Sequence, residues 1–149
     1  MNSVDIGAEG VEPPSWQDRA VSFIGKVLVF LGRDNWELSV LFCGNRYIQN
    51  LNRRYRGRDE PTDVLSFCLG ENAGGSYLPG DIVISLDALG ENAACFKVSP
   101  DEELRRLLIH GILHLDGMDH ASNAPEEPML KKQEEILREL GSYHIMSEV

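Results

Sequence analysis

The segment SPDEELRRLLIHGILHLDGMDH (99–120) constrains this 149-residue chain more than any other part of it. Ser99, Pro100, Asp101 and Glu102 have the form of a capping box, with proline at the first helical position and acids crowding the first turn. The pattern predicts a helix from Pro100 to about Asp116, stopping at Gly117. Its second half, LLIHGILHL (107–115), is apolar on nearly every side, which marks a helix buried in the molecule.

Into that apolar surround the sequence puts His110 and His114. At i and i+4 their side chains lie one turn apart on one face, a chelating pair for a single ion. Asp119 and His120 follow Gly117, so three of the four histidines fall within residues 110–120 as H-x-x-x-H-x-x-G-x-x-H. A lone histidine on an apolar face is most often a satisfied core residue; three at this spacing, with glycine at the bend, point to a metal. Imidazole suits zinc best, and Ni²⁺, Co²⁺ and Mn²⁺ are compatible with the same ligands. Three protein ligands leave the fourth position to water, the arrangement of a catalytic site, and no cysteine is near in sequence to close it.

The spacing is also that of the long zinc-protease signature, with one change: the glutamate that acts as general base there is Gly111 here. A peptidase is therefore disfavoured. Glycine in mid-helix costs on the order of 1 kcal/mol relative to alanine. Close packing against a sheet and space beside the metal for a substrate group both account for it.

The formal charge of −10 at first argues against an anionic partner such as nucleic acid. Its distribution changes that. Arg46, Arg53, Arg54, Arg56 and Arg58 make residues 46–58 a +5 segment with no acid, leaving −15 for the rest of the chain. Such a run is often only a solvated helix face, but on an acidic body it can also hold an anionic substrate locally.

Elsewhere the pattern predicts helices and short strands without strict alternation, which suggests the α+β class. Residues 1–14 are expected to be a poorly ordered acidic tail, with residues 15–149 as a single domain. Helices are expected at Trp16–Leu31, after Ser15 as cap, and over 45–56, 87–96 and 126–140. Strands are expected over 36–43, 64–69 and 81–86, with a hairpin-like connection around Ala73–Pro79. No run is long and apolar enough for a membrane span, and the N-terminus lacks the basic and apolar regions of a signal peptide. Cys43, Cys68 and Cys95 read as buried, reduced thiols of a cytoplasmic protein.

HGILHLDGMDH (110–120), LNRRYRGRDEPTDVLSF (51–67) and GDIVIS (80–85), in that family's order and spacing, resemble the YbeY family of bacterial metal-dependent endoribonucleases. The likeness covers roughly residues 36–140. It implies a zincin-like α+β domain: a small mixed sheet with about five helices, and one zinc ion per chain on a buried central helix. It also implies cleavage of single-stranded RNA in ribosomal RNA maturation, notably at the 16S 3′ end, and in ribosome quality control. The small ribosomal subunit and its assembly factors would then be partners. By position, the metal ligands are His110, His114 and His120, and the family's functional arginine falls on Arg56. Cys68 departs from the family, which usually has proline there.

Joined, these features suggest a catalytic role for Arg56 at the scissile phosphate, with Arg53, Arg54 and Arg58 binding neighbouring phosphates. Asp116 and Asp119 are the candidate general bases, and Asp119 is equally suited to orienting a ligand histidine. Two rivals share parts of this pattern: a zinc peptidase, and a non-catalytic assembly factor with a structural zinc and RNA-docking arginines.

Overall fold

A computed structural model describes residues 1–146. Nine elements follow in order: β1 (Ser3–Glu9), α1 (Gln17–Phe30), β2 (Glu37–Cys43), α2 (Asn45–Arg56), β3 (Val64–Ala73), β4 (Ser76–Ser85), α3 (Leu86–Phe96), α4 (Pro100–Leu115) and α5 (Pro128–Glu139). The last three positions of the expected 15–149 domain lie outside the described residues.

The four strands form one mixed sheet in the order β1-β2-β4-β3. β1 and β4 both run parallel to β2, and β3 runs antiparallel to β4 at the edge. One sheet face is apolar, carrying Leu38, Val40, Phe42, Ile82 and Ile84 into the main core with α1, α4 and α5. The opposite face is covered in part by α2 through Ile48, which packs with Cys43, Leu65 and Val83.

α4 is the central helix. It packs against α1, α3, α5, β3 and β4, and Leu104, Leu108, Ile109, Ile112 and Leu113 are fully buried. Ser99 caps it by accepting the Glu102 amide at 3.1 Å, worth about 1 kcal/mol. Only half of the expected capping box forms, because the Glu102 carboxylate turns to Arg106 at 3.1 Å.

The expected disordered tail is corrected: residues 3–9 are strand β1. Val4 and Ile6 pack against the core, while Ser3, Asp5, Gly7 and Glu9 alternate outward. The period-2 pattern was present, but glycine and acids weaken it, and a parallel strand declares itself only once its partner is in place. β3 and β4 run on through the expected connection to a tight turn at Gly74–Gly75.

All three cysteines are free, but the expected burial holds only for Cys43; Cys68 and Cys95 are exposed. Cys68 sits where edge strand β3 changes register between Cys68 and Glu71, and Cys95 lies on the outer side of α3. Burial pushes the Cys43 thiol up to about 11, which keeps it protonated and inert.

Candidate metal centre

The end of α4 builds the site. Gly117 takes the left-handed conformation (φ +93°). Its amide donates to His114 O at 3.0 Å, and the Met118 amide donates to Leu113 O at 3.0 Å. This is a Schellman closure. It stops the helix one turn after His114 and returns the chain so that His120 comes back beside the pair on the helix.

The three rings then pack with centroids 4.8, 5.2 and 5.5 Å apart, and one nitrogen from each lies within 4.8 Å of the others. Each Nδ1 already has an oxygen partner. His110 Nδ1 bonds Gln133 Oε1 at 2.6 Å, His114 Nδ1 bonds Met118 O at 3.1 Å, and His120 Nδ1 bonds Ser122 O at 2.9 Å. A carbonyl oxygen can only accept, so each ring carries its proton on Nδ1 and keeps the Nε2 lone pair for a metal. Burial lowers the pKa of His110 and His114 below the usual histidine value, favouring the neutral form that ligates. The donor set fits a zinc-type ion with an open position.

The Gln133 contact was not legible in the sequence. Gln133 lies on α5 in the stripe Met129, Gln133, Ile136, Leu137. A single amide at a core position of an amphipathic helix was the available signal, because such a group requires a partner. Its Nε2 donates to Glu134 Oε2 at 3.1 Å. Glu134 is in turn held by Arg106 through Nε at 3.0 Å and Nη2 at 3.1 Å. This chain fixes which end of the Gln133 amide faces His110.

A cleft of about 520 Å³ opens over the histidines, lined by His110, His114, Asp119, Cys68, Ser66 and Arg56. Arg56 is the last residue of α2 and not part of the following loop. Its Nη2 donates to Ser66 O at 2.7 Å, which brings the guanidinium across β3 and leaves its other donors free. Arg53, Arg54 and Arg58 are exposed and do not line this cleft.

The two carboxylates separate. Asp116 is held in a bidentate pair with Arg33, at 2.7 and 3.1 Å, which removes it as a base. Asp119 lines the cleft, accepts the His120 amide at 2.8 Å and lies 4.0 Å from His114 Nδ1.

Gly111 has a packing cause. A Cβ there would lie 2.9 Å from Ile82 Cγ2, so α4 approaches β4 too closely for any side chain. Position 111 therefore faces the sheet and not the cleft.

A mixed sheet crossed by a buried helix that carries two histidines, with a third brought beside them by the turn that follows and an arginine on the same cleft, is the architecture of a candidate metallohydrolase. Residues 9–141 match the family Endoribonuclease YbeY. Relatives bearing that name include those of Treponema denticola (50% identical, covering 97% of each chain) and Treponema pallidum (46% identical, covering 92% of this chain and 89% of the relative). The solution structure of TM1509 from Thermotoga maritima is similar, with a TM-score of 0.59 and 29% identity over 94% of this chain and 91% of that one. The chain belongs to the YbeY endoribonuclease family.

Proposed function

We propose that the protein is a zinc-dependent endoribonuclease that cleaves single-stranded RNA in the cytoplasm. It would act in ribosomal RNA maturation at the 16S 3′ end and in ribosome quality control, with the small ribosomal subunit and its assembly factors as partners. The observation that carries this reading is the cluster of His110, His114 and His120, of which His110 and His114 line one cleft together with Arg56. The family and its curated relatives support RNA as the substrate.

His110, His114 and His120 would hold one ion, which supplies Lewis acidity toward phosphoryl oxygens. Arg56 binds the scissile phosphate with the donors not committed to Ser66, and offsets the charge that develops there. Asp119 holds the ligand-bearing turn through the His120 amide. Arg53, Arg54 and Arg58 bind flanking phosphates. Peptidase chemistry lacks its base, since a glutamate at position 111 would meet Ile82.

The test sets wild type, Arg56→Ala and His114→Ala side by side on single-stranded and ribosomal RNA, with casein as control. His114→Ala should lose bound zinc and cleavage, and Arg56→Ala should keep zinc and lose cleavage. Ribosome binding without RNA cleavage by zinc-loaded wild type would overturn the enzymatic reading in favour of an assembly factor.

A further inference from the structure

On the opposite side of edge strand β3 from the histidines lies a groove of about 490 Å³, between α2 and the exposed sheet face. Its mouth is aromatic. Tyr55, 57% exposed, stands edge-on to Phe67 at 5.4 Å between centroids. Two of the arginines border this pair: Arg54 lies 5.8 Å from the Tyr55 ring centroid and Arg56 lies 5.2 Å from that of Phe67. Arg56 also lines the histidine cleft, so groove and cleft meet at one guanidinium.

The floor of the groove is a single register row across the sheet: Asp5 opposite Ser39, Ser39 opposite Asp81, Asp81 opposite Phe67. Three of these are polar on a face where neighbouring rows carry Leu41 and Val83. Gly7 lines the groove as well, and a Cβ there would press on Leu41 Cδ1 at 3.3 Å.

We propose that this groove is a nucleobase subsite for the nucleotide next to the scissile phosphate, a reading that rests on the proposed RNA cleavage. A single strand crossing β3 would leave its phosphate with Arg56 and turn one base onto Tyr55 and Phe67. Unstacked bases of single-stranded RNA are held in this way, by aromatic faces and by polar groups at the base edge. The carboxylates set the preference. Asp81 and Asp5 repel phosphate and accept N–H, so the row suits a base with an exocyclic amine, whereas uracil would turn a carbonyl oxygen toward a carboxylate. Cytosine over uracil, equal in size, is the diagnostic pair.

The full chain, with and without zinc, is titrated with single-stranded oligouridine hexamers carrying one cytidine or one 2-aminopurine. Binding is followed by anisotropy and by the fluorescence loss that 2-aminopurine shows on stacking. Tyr55→Ala should weaken binding about tenfold and abolish the quenching, while Tyr55→Phe retains both. Asp81→Asn should reduce the preference for cytidine over an all-uridine hexamer. Zinc content and urea midpoints of the variants check that fold and metal site are intact. If wild type binds and cleaves RNA but Tyr55→Ala binds equally well and quenches equally, the subsite is overturned and the groove serves another ligand, such as a protein. If wild type neither binds nor cleaves RNA, the endoribonuclease reading fails and the subsite with it.

Discussion

An imidazole can ligate an ion only through a ring nitrogen whose lone pair is free, and a free imidazole has no fixed tautomer. Here the choice is made by oxygens outside the cluster. Two are backbone carbonyls, of Met118 and Ser122, and come at no cost in sequence specificity. The third is the Gln133 side chain, 7% exposed and 2.6 Å from His110 Nδ1. Replacing it with leucine removes the only acceptor that fixes the His110 tautomer among the described residues. Gln133→Leu is therefore expected to lower zinc affinity about 10- to 100-fold, measured by competition with a chromophoric chelator. Gln133→Glu, which keeps an accepting oxygen at the same place, should restore it. The ligand histidines themselves were legible because their spacing is local to one helix and its cap. Gln133 was not, because it reaches the site from a helix 23 residues further on, and no periodicity links the two. Gly111 was legible only as a choice between two causes, and the position of Ile82 settles it.

Helix α4 can be read from sequence because its start and stop are chemical signals within a few residues, Ser99-Pro100 and Gly117. What anchors its first turn is not local. The Asp101 carboxylate accepts the amides of Ile145 at 2.7 Å and Met146 at 2.8 Å, and faces Arg105 Nε at 2.9 Å and His144 Nδ1 at 3.1 Å. Read from sequence, Asp101 was only an acid suited to a helix N-terminus; the structure makes it the clasp between α4 and the C-terminal segment. Burial alone would raise its pKa, but the two amides, His144 and Arg105 outweigh it and leave it below the ordinary 3.8. A depressed carboxylate contributes stability that is fully present above the unfolded pKa and is lost as pH falls through the folded one. Asp101→Ala, which leaves Arg105 and two amides without this partner, is expected to cost about 3 kcal/mol at neutral pH. In urea titrations the gap to wild type should close as pH drops below about 4. A gap that stays constant to pH 2 would rule out the ionised clasp. Strand β1 is the opposite case: its inward residues, Val4 and Ile6, are few, and its pairing with β2 spans more than thirty residues, so nothing near it in sequence announces it.

At the scale of the whole molecule, a chain of net charge −10 concentrates five of its 14 basic residues at positions 46–58. Arg33, Arg105 and Arg106 are committed to Asp116, Asp101 and the Glu102/Glu103/Glu134 cluster. Among the described residues, none of the five arginines at 46–58 enters an ion pair, and Arg56 is the one of them that lines the histidine cleft. A net negative charge disfavours a polyanion in general, so the proposed RNA binding is expected to depend on that segment instead of on general charge. If Arg53, Arg54, Arg56 and Arg58 each engage one phosphate, the logarithm of the binding constant for single-stranded RNA should fall with the logarithm of salt concentration at a slope of about −3, roughly 0.7 per contact. Arg58→Ala should make the slope shallower by that increment. Tyr55→Ala should weaken binding without changing the slope, because stacking releases no counterions. A slope near −1 in the wild type would confine phosphate contact to Arg56, and would leave the other three arginines as a solvated helix face.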